Sequence, residues 1–307
     1  MHSSAFACLQ QADALWQARK APEALGVLQQ GLKAPWPLPE RLPLAQRLAE
    51  CLIKAGQAPQ ARQLLAQVQS ALAAQATHSG QPQAMPEWCA TLAWCANEAW
   101  WQPLQGPQVR LRRLQAPDAP WLKALFSDQG FADLVNRDYG QRVRAMLEAT
   151  LAQLLAQQAQ QSPVDMGALI YRVERLDGHA LGLASLVTID SEARRAEFII
   201  GCPPGAATAS QVMETGCLLI DFAFARVGFH KVTSAIYGDN PRLASLVSSL
   251  QALGFEREGL QRQHVKLPGG GFVDLHLMGA LREEVLSNAR VARLRARCLR
   301  QSGGSAG

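Results

Sequence analysis

The sequence predicts an α+β protein in which an all-α helical-hairpin segment precedes a mixed sheet flanked by helices. Three observations carry this. Residues 5 to about 75 repeat apolar side chains three and four apart. The composition then changes across Gln102-Pro-Leu-Gln-Gly-Pro107. Beyond it a strand, two helices, three antiparallel strands, a helix, a strand, a helix and a closing hairpin follow in order. The expected domains are residues 1–105 (helical), 106–285 (sheet) and an Arg-rich tail, 286–307.

In the first part, Leu15, Ala18, Ala21, Leu25 and Leu28 mark one helical face, with breaks at Pro35 to Pro39 and at Ala55-Gly56. Two segments look alike: Ala21-Pro-Glu-Ala24-Leu-Gly-Val-Leu28 and Ala58-Pro-Gln-Ala61-Arg-Gln-Leu-Leu65. Each resembles the second helix of a tetratricopeptide unit, whose period is ~34 residues; a plain helical hairpin bundle fits equally well. Either suggests a packing platform or a surface for a protein partner. A helix over Glu87 to Trp101 carries Trp88, Trp94, Trp100 and Trp101, which suit a packing seam or a ligand wall.

In the second part, Val109, Leu111 and Leu114 read as a strand, Pro117 to Phe126 as a helix start, and 131–160 as containing one long helix. Strands are expected at 167–175, 181–190 and 194–201, a helix at 208–227, a strand at 231–238 and a helix at 241–252. Two last strands flank the turn Pro268-Gly269-Gly270-Gly271.

Bulk properties narrow the function. Net charge is +5 with 18% charged residues, too mild a surplus for a nucleic-acid binder but compatible with an anionic ligand. Seven scattered cysteines without CxxC spacing argue against a disulfide framework and against a metal site, and fit a reducing cytoplasm. No apolar run approaches the ~20 residues that span a bilayer, so no membrane association is expected. The arginines after Arg282 read as a solvated helix, since no aromatic residue is interleaved to stack on bases.

Val109-Arg-Leu-Arg112 with Asp118, Gly182-Leu-Ala-Ser-Leu186, Ala196-Glu-Phe-Ile-Ile200, Asp221-Phe-Ala-Phe224, His230-Lys-Val232, Asn240, Leu253-Gly254-Phe255 and Asp274 follow one another in a telling order. In that order the chain resembles the GNAT acyltransferases, especially the branch with ribosomal-protein and sugar-nucleotide N-acetyltransferases, from about residue 108 to 284. The resemblance implies a splay between strands 194–201 and 231–238 that holds acyl-CoA. It gives the pantetheine arm to Phe198, Ile199 and Ile200, and the pyrophosphate to the loop from Gly205 through Thr208, Ala209 and Ser210. The loop departs from the family: Thr208 and Ser210 stand where relatives carry glycine, and the basic residue is missing. Both hydroxyls would equally serve as helix caps.

Acyl transfer to an amine needs a base for the amine and support for the leaving thiolate. Glu197 is the leading base, at a position where relatives often carry a carboxylate; strand alternation could instead turn it out to Arg194 or Arg195. His276 is the second candidate, with His264 and His230 behind it. Relatives place a tyrosine after Asn240; here Val247 and Ser248 stand nearby, so either the thiolate leaves unaided, as a thiol pKa of ~8.5 permits, or Tyr237 or a serine substitutes. Asn240 could hydrogen-bond cofactor or substrate, or simply make the turn before Pro241. The expected activity is acetyl transfer from acetyl-CoA, without a metal, to an amine of a sugar or a protein. The competing expectation is a non-catalytic GNAT-like scaffold working through its helical segment.

Overall fold

The computed structural model describes residues 4–79, 84–267 and 269–299, so Pro268 of the expected hairpin turn and the tail from Arg300 lie outside the described residues. The chain divides into two compact units, one of Met1–Trp100 with Gln161–Asp165, the other of Trp101–Gln160 with Met166–Gly307.

The first unit is helical: α1 (Ala5–Gln17), α2 (Ala21–Lys33), α3 (Leu38–Lys54), α4 (Ala58–Ser79) and α5 (Glu87–Cys95). Prolines sit in the first turns of α2 and α3, where their missing N–H costs nothing. Consecutive helices from α1 to α4 pack together. The small residues of the two look-alike segments, Ala24 and Ala61, are fully buried beside Leu28 and Leu65. Trp94 and Trp100 meet edge to face at 4.8 Å, and the Trp100 indole donates to the Trp94 carbonyl. Lys54 pairs with Asp165 at 2.7 Å, tying the returning segment to α3.

The second unit is built on an eight-stranded sheet of order β1-β2-β3-β4-β5-β6-β8-β7. Its elements are β1 (Leu104–Gln105), β2 (Val109–Arg113), α6 (Ala119–Ser127), α7 (Gln129–Val135), α8 (Arg137–Ala145) and α9 (Glu148–Gln160). Then come β3 (Ala168–Arg175), β4 (Ala180–Asp190), β5 (Arg195–Gly201), α10 (Ala209–Ile220), a π-helical turn (Asp221–Val227) and β6 (Lys231–Tyr237). The unit closes with α11 (Leu243–Ala252), β7 (Glu256–Lys266), β8 (Phe272–Leu281), α12 (Arg282–Ser287) and α13 (Ala289–Leu299). Among the described residues β5 and β6 form the one parallel pair.

One expectation needs correcting. Residues 131–160 hold parts of three helices rather than one long one, because Asp128 caps α7 and Asn136 caps α8 through their side-chain oxygens. Together α6 to α9 bury Leu122, Phe126, Phe131 and Leu155 against Leu183 of β4, with Ile170 and Ile199 packed alongside. Alternate strand residues turn to other partners, as strand geometry requires: Tyr171 meets Phe222 at 6.4 Å and Phe198 meets Phe255 at 5.4 Å.

Arginines among the strand residues are matched by two buried carboxylates. Asp118 and Glu174 are each 3% exposed. Arg112 bonds Asp118 at 2.7 and 2.8 Å and Glu174 at 3.1 Å, while Arg110 and Arg172 complete the set. Burial opposes the charge on Asp118, but hydrogen bonds from Arg112 and the Gln115 N–H hold its pKa below the ordinary value. Its contribution is therefore present above the unfolded pKa of ~3.9 and is lost as acid carries it through the lower folded value. Replacing Asp118 by Ala leaves Arg112 and Arg172 short of a buried partner, and chemical denaturation at neutral pH should show a loss of about 3–5 kcal/mol.

Candidate functional site

The site begins where two strands part. β5 and β6 pair at Arg195↔Lys231, Ala196↔Val232 and Glu197↔Thr233, and the pairing stops there. Each strand keeps its outer neighbour: β5 stays with β4 to Gly201↔Leu183, and β6 stays with β8 to Tyr237↔Leu275. The gap is thus braced on both sides. A slot of about 270 Å³ occupies it, bordered by Phe198, Ile199 and Ile200 of β5 and by Ser234 to Tyr237 of β6. Val212 and Met213 of α10 and Leu246 and Leu250 of α11 also line it. Inner edges of separated strands present N–H and C=O groups that need partners, so an extended, apolar, hydrogen-bonding chain suits the slot.

At one end the slot adjoins a cavity of about 110 Å³ that shares Ile200, Val212 and Leu246 with it and adds Gly201, Cys202, Pro204, Asn240 and Arg242. Gly205, at φ +78°, turns the loop into α10, a conformation that favours glycine. Thr208 is the N-cap: its Oγ1 accepts from the Gln211 N–H at 3.3 Å, while the Gln211 side chain accepts from the Thr208 N–H at 2.9 Å. The Ser210 hydroxyl donates to Gln108 Oε1 at 3.1 Å. With both hydroxyls so engaged, the first-turn backbone N–H groups, Ala209 and Ser210 among them, are the donors left at the positive end of the helix dipole.

The start of α10 is held in place from below. Glu214, wholly buried, accepts from the backbone N–H groups of Gln108 (2.8 Å) and Val109 (3.0 Å) and from Gln108 Nε2 (2.8 Å). Residue 106 must be glycine for this approach, since a Cβ there would collide with the Glu214 carboxylate.

Glu197 sits at the last paired position and borders both the slot and a second cavity of about 290 Å³. It makes no ion pair among the described residues; Arg195 pairs with Asp190 at 3.1 Å. Burial raises its carboxyl pKa above the ordinary value. Tyr237 borders the slot as well. Its hydroxyl accepts from the Arg137 N–H at 3.2 Å, and the Arg137 guanidinium lies 4.3 Å from its ring centroid while bonding Asp239 at 2.7 and 2.8 Å. Burial raises the phenol pKa, with the Arg137 contacts opposing.

The other expected residues are distributed unevenly. Asn240 is buried at the small cavity and also makes its turn, its side chain accepting from the Arg242 N–H at 2.9 Å. His264 is exposed at the slot's border. His276 is half-buried in β8 opposite Ile236 and Leu260, and its neighbour Leu275 is the one that borders the slot. On α11, Ser249 lines the slot, while Ser248 donates to the Ala244 carbonyl.

Arg242 was not anticipated. It is exposed beside the loop, without an ion pair among the described residues, and brings a positive charge to the cavity where the loop sequence has none. The one signal in the sequence was its isolation, as the single basic residue between Lys231 and Arg257.

No family model matches the sequence, and no curated protein matches it. Among solved structures, spermidine N-acetyltransferase from Vibrio cholerae in complex with CoA and spermine is similar over 59% of this chain and 99% of its own, at 20% identity with a TM-score of 0.50. Over that part the chain shares the fold of that protein. A chimera of the Vibrio cholerae spermidine enzyme and hSSAT covers the same shares at 22% identity with a TM-score of 0.47. The α+β arrangement anticipated from the order of motifs, a mixed sheet flanked by helices, is the one the second unit has. Among the described residues no cluster of His, Cys, Asp or Glu could hold a metal ion, and no helix is long and apolar enough to cross a membrane.

Truncating Glu214 to Ala removes the carboxylate that orders the base of α10 and leaves buried N–H groups unpaired, a cost of about 1–3 kcal/mol each. Thermal unfolding of E214A should show a clear loss of stability, and Gly106→Ala a loss in the same direction.

Proposed function

We propose that the protein is an acyl-CoA-dependent N-acetyltransferase that moves an acetyl group from acetyl-CoA to an amine within a ternary complex. The observation that carries this is the parting of β5 and β6 immediately after Glu197, with the outer pairing of both strands intact. Acetyl-CoA is the second substrate; a spermidine N-acetyltransferase solved with CoA and spermine shares the fold and supports the class of reaction.

In this reading the pantetheine arm lies along Phe198, Ile199 and Ile200 as an added strand partner. The pyrophosphate meets the N–H groups of Ala209 and Ser210, with the loop turned at Gly205 and closed at Thr208, and Arg242 neutralises its charge. The thioester then stands beside Glu197. The amine nitrogen attacks the acetyl carbon, a C–N bond forms, the C–S bond breaks, and the proton shed by nitrogen passes to the Glu197 carboxylate. Tyr237, kept protonated by its raised pKa, gives its proton to the departing thiolate. Asn240 shapes the turn that carries Arg242, and His276 stays in the sheet as a residue without a part in the chemistry.

The pH dependence follows from these shifts. Glu197 acts ionised, so activity rises as pH climbs through its elevated pKa; Tyr237 acts protonated, so activity falls once pH passes the raised phenol value, above ~10. Glu197→Gln should lower kcat by about 10²-fold or more, remove the lower limb of the profile, and leave CoA affinity nearly unchanged, read by thiol release and by calorimetry. An unaltered profile in E197Q excludes Glu197 as the base. Arg242→Gln should weaken CoA binding by about tenfold, the worth of one charge-assisted contact at ~1.5 kcal/mol, with kcat at saturation preserved.

A further inference from the structure

The second cavity, about 290 Å³, lies on the helical side of Glu197. Phe126, Ile170, Leu183 and Ile199 give it an apolar wall. Two charged side chains border it, Glu197 and Arg142. Arg142 is exposed on α8, and no carboxylate among the described residues pairs with it, not even Asp138 one turn earlier on the same helix. Tyr139 adds a phenol, packed edge to face on Phe126 at 5.3 Å, whose pKa burial pushes up to about 12 against the opposing charge of Arg142. The buried Ser185, Thr188 and the amides of Asn136 and Gln158 complete the polar lining.

We propose that this cavity holds the acceptor and that the acceptor is a small zwitterion, an amine and a carboxylate on one apolar body, of which an α-amino acid with an apolar side chain is the simplest member. The inference rests on the acyl-transfer reading and specifies its substrate. The reacting amine has to lie at Glu197, the carboxylate shared by slot and cavity. Arg142 then offers a planar, permanently charged fork that a carboxylate matches. A polyamine would bring a second ammonium to the same guanidinium, where like charges at ~4 Å repel by about 1 kcal/mol even in water, and the cavity borders no second carboxylate to receive it. The volume falls at the small end of ligand pockets, roughly 300–1,000 Å³, and suits one small molecule with the apolar wall around its side chain.

The test follows thiol release from acetyl-CoA by the full-length protein and by Arg142→Gln, with L-leucine, L-methionine and L-phenylalanine, with the amide of each, and with spermidine. The free acids should exceed amides and spermidine in kcat/KM by about tenfold or more, equivalent to ~1.4 kcal/mol. In R142Q that ratio should shrink to within about twofold. Amides or spermidine used as well as the acids, or a preference untouched by R142Q, overturns the proposal. Melting in the presence of acetyl-CoA separates the two readings. A protein stabilised by acetyl-CoA that acetylates none of the acids refutes the acceptor alone, whereas one that acetyl-CoA does not stabilise refutes acyl transfer and this inference together.

Discussion

Everything in the site depends on two parallel strands ceasing to pair while each remains anchored on its other edge. A strand end that loses its partner ordinarily frays, because unpaired N–H and C=O groups then favour water. Here β4 holds β5 to Gly201 and β8 holds β6 to Tyr237, so the opening is a fixed feature of the sheet. The Arg137 backbone and guanidinium fasten Tyr237 at its far end, and Phe198 is packed on Phe255 near its origin. The result is a preformed slot with an apolar lining and a polar rim, whose formation costs nothing further when a ligand arrives.

Around that slot the electrostatics are graded. At one end stand the helix start of α10 and Arg242, both suited to phosphate. In the middle stands one half-buried carboxylate with a raised pKa. Beyond it lies a cavity bordered by the Arg142 guanidinium, which has no ion pair among the described residues. The buried charges elsewhere in the unit are handled differently: Asp118 and Glu174 are matched by three arginines, and Glu214 by three N–H donors. Glu197 and Arg142 stand out because, among the described residues, neither has such a partner, and the same lack leaves them available to a substrate.

The order of elements was legible because it is written in local pattern: alternating strand runs, glycine and proline punctuation, and the apolar stretch Phe198 to Ile200. The cap at Thr208 was also legible, since its partner Gln211 lies within one turn, whereas Ser210, read as an equal cap, instead donates to Gln108. What escaped was either a neglected short-range signal or a contact across long sequence distance. Asn136 announced a helix start inside the stretch that read as one helix, and Asp128 another just before it. Glu214 on α10 reaches Gln108 more than a hundred residues earlier, Arg242 meets a loop some forty residues earlier in the chain, and Arg142 shares a cavity with Glu197 because α8 packs on α7, which in turn packs on β5. No local periodicity encodes those approaches; they follow from topology.

The most direct measurement is amide hydrogen exchange of the protein with and without saturating CoA. The account predicts slowed exchange at Phe198, Ile199 and Ile200 and at the first turn of α10, with β3 and the helices of the first unit unchanged. Binding of CoA that leaves the amides of 198–200 exchanging at their free rate would contradict the claim that the parted strands receive the thioester arm.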